Sequence, residues 1–480
     1  MWRRAAFNIG LVFLLSSLSS LNVQEVATDS LQTTVLGYSQ MVHELTIASE
    51  ASDFPWHDWT HYHGYSEIVD TLFHLNSTRP SLVDVFSIGK SALGREIYCL
   101  RLTSENVTCR KTEILFVGYH HARECISAEL PLYFAVYALE NYGIDAALTW
   151  MLDLSEIYIV VALNVDALDV VVANEWQRKN LNSFDEDGDG LFDEDPPDDA
   201  DGDGFVEHLV FWNGVRYVSV RWEGVDADGD GMLNEDWVGG VDLNRNYGYM
   251  WNATVQSGSP YMSEEDYRGP APFSEPETRA LKDLALQHDF EYAVSFHSGA
   301  QAILYPWGHT TVAAPDSDKL EGFAEELSQL IGCWYRQSGS WYTTSGCWDD
   351  WMYGTRGTCA FTVEMYSNSS AWHYEPGPDQ NTLWESGAFD FYNPKPYRIE
   401  STILRWMPTF FYTINRAIFE RAEDLNLDGK IDILDLAIAA RAFGSHPGNP
   451  RWSPLADLNH DEKVDLQDII RFARRFGELL

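Results

Sequence analysis

Positive charge is scarce in this 480-residue chain: 32 lysines and arginines stand against 73 aspartates and glutamates, a formal net charge of −41. A surface of that sign repels nucleic acid and anionic lipid, which are bound through basic patches. Cysteine is sparse too. Cys99, Cys109, Cys125, Cys333, Cys347 and Cys359 include no Cys-x-x-Cys pair and no Cys/His cluster, which argues against a thiolate zinc site. The helical metalloprotease motif His-Glu-x-x-His is absent. Beyond the N-terminus no uninterrupted apolar run is long enough to span a bilayer.

Apolar residues make up 45% of the chain and aromatics 14%, enough for a large packed core. Arg3 and Arg4 precede an apolar stretch over 5–14 and a Ser/Leu segment to Leu21, so residues 1–22 read as an export signal and the mature chain as secreted. Export permits disulfides; Cys99 and Cys109 lie on two strand-like runs joined by a short polar turn and could meet across a hairpin. Sequons at Asn76, Asn106, Asn252 and Asn368 fit surface loops.

Residues 23–58 have no clear period and read as a linker or short pro-segment. Over 59–422, helix-like segments (66–75, 127–142, 399–423) alternate with strand-like ones (96–102, 113–118, 157–163, 291–296, 358–363). That alternation predicts an α/β sheet covered on both faces. Residues 183–237 interrupt it as an insertion. Between Asp185 and Asp236 there are 18 acidic residues and two arginines. The acids alternate before glycine: Asp185-x-Asp187-x-Asp189-Gly190, Asp201-x-Asp203-Gly204 and Asp226-x-Asp228-x-Asp230-Gly231. Alternating aspartates ahead of a turn glycine form the loop that wraps Ca²⁺. The closing glutamate is missing; Asp193, Asp195, Asn234 and Asp236 are candidates to replace it.

From 423 to 480 the texture changes to two related units, 424–444 and 457–477. Asp424, Asn426, Asp428, Asp432 and Asp435 recur as Asp457, Asn459, Asp461, Asp465 and Asp468, each set leading into an apolar helical pattern that ends in Phe-Gly.

The chemistry-bearing residues sit at strand ends. His121 and Glu124, three residues apart, directly follow the strand-like 114–117, and an imidazole and a carboxylate at that spacing suit Zn²⁺. His297 ends the run 293–296, and Glu364 ends 361–363. In open α/β sheets, sites gather at the carboxyl ends of strands, so the coincidence of all three carries more weight than any one of them.

From Trp59 to Ala422, the insertion aside, the chain resembles the zinc metallocarboxypeptidases of the A, B and T type. The likeness rests on Gly118-x-His120-His121-x-Arg123-Glu124, Trp176-Gln177-Arg178-Lys179-Asn180, Val241-Asp242-Leu243-Asn244-Arg245-Asn246, Phe296-His297-Ser298, Tyr305-Pro306-Trp307-Gly308 and the ungapped block from Tyr342 to Glu364. The resemblance implies a mixed, mostly parallel twisted sheet with helices on both faces. It implies one catalytic zinc on His121, Glu124 and His297, and Glu364 as general base. Arg178 matches the oxyanion-stabilising arginine. Asn244 and Arg245 match the grip on a substrate's terminal carboxylate, Tyr342 its mobile cap and Arg123 a secondary substrate-binding arginine. Asp242 matches the carboxylate that orients the first zinc histidine. An arginine fork reads a free carboxylate, so the implied enzyme is an exopeptidase acting on peptide and protein C-termini.

Asp349 stands at the position that floors the specificity pocket in this family, and a carboxylate there favours Lys or Arg as the residue removed. Cys347, Trp348, Cys125 and Gly299 depart from the family's usual residues. The segment before His61 is too short for a long inhibitory pro-domain, so activation by its removal is not expected. The tail resembles a dockerin, a small all-α calcium-binding domain, which implies structural Ca²⁺ and a cohesin-bearing partner; Glu462 replaces the turn glycine of its second loop. A self-contained stabilising cap is the alternative. Two rivals to the secreted carboxypeptidase are an inactive scaffold on the same fold and a cell-wall peptide hydrolase of the same family. All the catalytic groups are present, and so is the carboxylate grip.

Overall fold

The computed structural model describes residues 58–477 apart from 108–110, 171–174, 186–189, 194, 204, 216, 227–228, 230, 232–233, 235–238, 254–255, 421–422, 426–429, 447–448 and 459–462. The expected signal (1–22), most of the linker (23–58), Cys109, Asp236 and the proposed calcium ligands Asp187, Asp189, Asp228, Asp230, Asn426, Asp428, Asn459 and Asp461 lie outside the described residues. The described residues divide into two compact units, one within 54–414 and one within the C-terminal 415–480.

The large unit is built on an eight-stranded sheet. Its strands are β1 (Val83–Lys90), β2 (Glu96–Leu102), β3 (Thr112–Val117), β4 (Ser155–Val160), β7 (Phe290–His297), β8 (Ala302–Tyr305), β9 (Trp334–Gln337) and β10 (Cys359–Glu364), in the order β1-β2-β4-β3-β7-β10-β8-β9. β4, β3, β7 and β10 run parallel to their neighbours within that group, as do β8 and β9; β1–β2, β2–β4 and β8–β10 are antiparallel. The sheet is therefore mixed and mostly parallel. Its central strands are almost continuously buried, as a sheet covered on both faces requires.

Helices α1 (Tyr65–Thr78), α2 (Ile126–Asn141), α3 (Ala146–Leu154), α4 (Pro276–Gln287) and α5 (Ser317–Ile331) join or flank these strands. α2 is buried from Ile126 to Leu139, too apolar all round to face water on any side. It packs Phe134 on Phe410, with ring centroids 4.0 Å apart; Phe410 also contacts Phe116 of β3 and Phe296 of β7. Burying each such ring contributes about 1.5–3 kcal/mol. Gly118, where the chain leaves β3 towards α2, is required by close approach: a Cβ there would lie 2.4 Å from Val161 O and 2.5 Å from Ser127 O.

Two expectations need correction. The helix expected over 399–423 is two, α9 (Ile399–Trp406) and α10 (Pro408–Glu420), because Pro408 has no N–H to continue the ladder. β2 and β3, expected as the two strands of a hairpin, are not partners, since β4 lies between them; the pairing suggested for Cys99 and Cys109 rests on Cys109, outside the described residues. The insertion also has strands of its own. It carries β5 (His208–Trp212) and β6 (Tyr217–Trp222), which join β11 (His373–Pro376) and β12 (Thr382–Ser386) in an antiparallel sheet of order β11-β12-β5-β6.

The C-terminal unit has helices α11 (Ile433–Ala442) and α12 (Leu466–Arg475). Asp432 and Asp465 are their N-caps, each in a reciprocal capping box with Asp435 or Asp468. A core of Ile431, Ala439, Ala442, Ala456, Leu458, Val464 and Phe472 holds this unit together.

Candidate active site

At the end of β3 the chain turns sharply: Tyr119 takes φ 57°, a conformation uncommon outside glycine. Of the two histidines that follow, His120 points into the core, with its ring nitrogens on Tyr247 Oη and Ser295 Oγ. His121 instead meets Glu124 and the β7-terminal His297. His121 Nδ1 lies 2.8 Å from Glu124 Oε1, His297 Nδ1 lies 3.0 Å from Glu124 Oε2, and the two Nδ1 atoms are 3.2 Å apart. All three residues are buried, and they form one group able to hold a metal ion.

The cluster fits zinc. Tetrahedral ligands at zinc's usual bond lengths sit about 3.3 Å from one another, close to these separations. The ring nitrogens facing away are held as well: His121 Nε2 is 3.1 Å from Asp242 Oδ1, and His297 Nε2 is 3.0 Å from Ser295 Oγ. Such partners fix ring orientation and leave the Nδ1 lone pairs for a metal.

Asp242 does more than orient His121. It also accepts from Arg178 Nε at 2.8 Å and from the Asn244 backbone N–H at 2.8 Å. Burial opposes its charge, yet Arg178 and His121 hold its carboxyl well below the usual range. Glu124 is likewise lowered against its burial, by His121 and His297, whereas burial lowers His297. Glu364 is pushed up to about 8 by burial and by the Glu124 charge. Its Oε2 is buried without a hydrogen-bond partner among the described residues.

These side chains surround a cavity of about 300 Å³. His121, Glu124, His297, Glu364, Arg178, Asn244, Arg245, Tyr342 and Asp349 all line it, so the sheet brings together groups drawn from nearly 250 positions of sequence. A larger depression of about 550 Å³ beside α1 and α2 contains none of them. Asn244 Oδ1 accepts from the Trp348 N–H at 2.9 Å. Arg245 is steadied by Ser257 Oγ at 3.1 Å and Asn244 O at 2.6 Å. Tyr342 follows the short helix α6 (Ser338–Trp341).

Asp349, 3% exposed, is the second residue of the helical turn α7 (Trp348–Trp351) and accepts from Ser338 Oγ at 3.3 Å. Burial and the adjacent Asp350 push its carboxyl up to about 7. Asp350 itself faces the other way, accepting from the Gly308 and His309 N–H groups and from the His309 ring.

Arg123 is where the arrangement departs from expectation. It does not line the cavity. Its guanidinium is paired with Glu265 at 3.1 Å, donates to Trp176 O and stacks 4.5 Å from the Tyr392 ring. Both terminal nitrogens of this buried guanidinium are thus paired within the protein, while its Nε has no hydrogen-bond partner among the described residues. Ser295, Glu265 and Tyr392 were missed by sequence reasoning because none belongs to a motif.

In the insertion, the aspartates first serve the backbone. Asp185 Oδ2 accepts from Gly190 N–H, and Asp226 accepts from Gly229 and Gly231. Asp201 Oδ1 accepts from the Asp203 N–H, and Asp203 Oδ1 from Phe205. A second group able to hold a metal ion is Asp199, Asp201 and Glu223. Asp203 is not in it. Neither Asp199 nor Glu223 was foreseen, and Glu223 lies on the far side of the β5–β6 hairpin.

Comparison with known proteins agrees with this geometry. The sequence profile of the zinc carboxypeptidase family matches residues 68–386, and that of the dockerin type I domain matches 422–477. Carboxypeptidase A6 of Mus musculus is 26% identical over 313 residues, 63% of this chain and 60% of the mouse protein. Carboxypeptidase A1 of Bos taurus is 27% identical over 312 residues, 63% of this chain and 62% of the bovine protein. The chain thus spans about three fifths of the length of these relatives. The crystal structure of carboxypeptidase A from Helicoverpa armigera shares the fold, with a TM-score of 0.54 at 20% identity over 82% of this chain and 86% of that one.

Proposed function

The chain belongs to the zinc carboxypeptidase family, and on that footing we propose that it is a secreted exopeptidase hydrolysing the C-terminal peptide bond of peptides and proteins, with a preference for Lys or Arg ends. The observation that carries this reading is one cavity uniting a His-Glu-His cluster, a carboxylate with an unpaired oxygen and an arginine beside an asparagine.

Zinc bound at His121, Glu124 and His297 would supply a Lewis acid able to lower the pKa of a water towards about 7. Glu364 takes the water's proton on its unpaired Oε2 and passes it to the departing amine nitrogen. Arg178, aimed by its Nε bond to Asp242, stabilises the developing oxyanion, a contribution of about 3–4 kcal/mol by analogy with other oxyanion donors. Arg245 and Asn244 hold the substrate's free carboxylate, which restricts cleavage to the chain end. Tyr342 closes over the bound residue, and Asp349 attracts a cationic side chain.

Calcium is the proposed ion for the insertion, supported by Asp199, Asp201 and Glu223, and for the tail repeats, whose family points to a cohesin-bearing partner. Export is supported by the N-terminal pattern; among the described residues no helix is long and apolar enough to cross a membrane.

The decisive experiment measures bound zinc and release of C-terminal residues for the wild type and Glu364→Gln. The variant should keep its zinc and lose about 10²–10⁴-fold in turnover. Full activity in the variant removes Glu364 as base; an active wild type without zinc removes the metal.

A further inference from the structure

We infer that His309 and Asp350, neither of which lines the cavity, are positioning residues for Asp349: together they set the charge it presents, and with it the pH range over which Lys and Arg ends are preferred. The inference rests on the carboxypeptidase reading above, in which Asp349 meets the side chain of the residue removed. Beside Asp349 the lining carries Ser338, Cys347 and Arg245; across the cavity, α8 (Ala388–Tyr392) adds only the Phe391 and Tyr392 rings. The second carboxylate of the region lies behind the lining, at Asp350.

Asp350 is 1% exposed and is clamped by the loop that follows β8. Its Oδ1 accepts from the Gly308 N–H at 2.7 Å. Its Oδ2 accepts from the His309 N–H at 2.9 Å and lies 2.7 Å from His309 Nδ1. Three donors on two oxygens suit an ionised carboxylate, which only accepts, so Nδ1 carries a ring proton. Aromatic neighbours set the His309 ring for this bond: Trp307 and Tyr249 both meet it edge-on, with centroids 5.1 and 5.7 Å away. The loop is packed as closely on the side of the pocket. A Cβ on Gly308 would lie 2.7 Å from Thr344 Oγ1 and 3.4 Å from Cys347 Sγ.

Asp349 is held far more loosely. Among the described residues its one side-chain donor is Ser338 Oγ, 3.3 Å from Asp349 Oδ2, and that hydroxyl also lies 3.1 Å from Tyr305 O. A single hydroxyl proton is thus divided between two acceptors. Asp349 Oδ1 accepts from the Asp350 N–H at 3.0 Å. With so few donors, the charges around it decide its state. Burial and the Asp350 charge push its carboxyl up, and Arg245 pulls it down; Cys347 faces the same carboxylates, and Tyr249 faces Asp350. The His309 proton draws charge density from Asp350 and weakens the field that Asp350 casts on Asp349. Without that proton Asp349 stays neutral to higher pH. Without the Asp350 charge it ionises at lower pH. The two residues therefore act on Asp349 in opposite directions, through a network that never touches substrate.

The test uses two peptides that differ only in a Lys or Phe end, the full chain loaded with zinc, and pH from roughly 5 to roughly 9, where the Lys side chain stays charged. The quantity read is the midpoint of the climb in the Lys-over-Phe ratio of kcat/KM. Ionisations of the zinc site and Glu364 act on both peptides and cancel in the ratio. The wild-type midpoint should fall near 7. His309→Phe keeps a ring beside Trp307 and Tyr249 and should raise the midpoint by about half a pH unit. His309→Asn, whose amide N–H can reach Asp350, should bring it back. Asp350→Asn should lower the midpoint by about one pH unit. A role in folding alone would lower activity or the ratio at every pH and leave the midpoint in place. If Asp350→Asn fails to fold, the two His309 variants decide. A zinc-loaded His309→Phe whose midpoint stays or falls overturns the inference alone. A wild type without Lys preference at any pH overturns the role of Asp349 and the inference with it. A zinc-loaded wild type that trims neither peptide overturns the carboxypeptidase reading as well.

Discussion

The His-Glu-His cluster and the acidic insertion each gather groups able to hold a cation, by opposite means. His121, Glu124 and His297 are at most 3% exposed and come from the ends of adjacent parallel strands, with every ring nitrogen engaged. Asp199, Asp201 and Glu223 range from exposed to buried and come from loops, and their oxygens already accept backbone N–H groups: Glu223 Oε1 those of Ala200 and Asp201, Asp199 Oδ1 those of Gly202 and Asp203. The contrast follows ligand chemistry. A catalytic zinc site needs a small, rigid set of nitrogen and oxygen donors with a position left open, which a sheet can preassemble. Calcium takes more oxygens in looser geometry, so its loops can form around the ion, and ion binding becomes part of their folding free energy.

The comparison predicts that calcium chelation and zinc chemistry separate. The largest effect falls on the tail: a cohesin domain should capture the chain in calcium and release it in EGTA, while the zinc-dependent trimming persists. Capture that ignores the chelator would favour a self-contained cap.

A smaller effect is expected at Asp349, the buried carboxylate that no metal answers. Its proton leaves as pH rises through about 7, and only the anion attracts a Lys or Arg side chain. The kcat/KM ratio for Lys over Phe ends should therefore climb between roughly pH 6 and roughly pH 8, and Asp349→Asn should lower it about tenfold and flatten the climb. A pH-independent ratio unchanged by the substitution would remove Asp349 from the specificity pocket.

The smallest effect belongs to the insertion. Calcium at about a hundred times its dissociation constant adds about 2.7 kcal/mol, a rise of several degrees in Tm for a domain of this size. Glu223→Gln should lose most of that rise; equal calcium shifts in variant and wild type would exclude Glu223 as a ligand.

Legibility varied along the chain for physical reasons. β2 falls on the expected bounds, 96–102, since a short apolar run flanked by turn residues has few alternatives. The two strands of the insertion were hidden although His208–Trp212 and Tyr217–Trp222 are themselves apolar and aromatic, because the aspartates around them dominate the composition. The pairing of His208–Trp212 with Thr382–Ser386 spans more than 160 residues and leaves no periodic trace. The helix over 399–423 was legible in type but not in its break at Pro408.

By itself the sequence determined the local facts: a histidine and a glutamate one turn apart after a strand, a second histidine and the proposed base at the ends of two others, and acidic repeats of calcium-loop form. Those follow from spacing over a few residues, which the chain carries wherever it folds. Only the tertiary structure decided what depends on distant partners. It paired Arg123 with Glu265 and so withdrew it from the cavity, set Tyr392 against Gly299, and brought Glu223 to Asp199. A buried charge must find a counter-charge and a bare glycine must be filled, but which group answers is fixed by the packing of elements far apart in the chain.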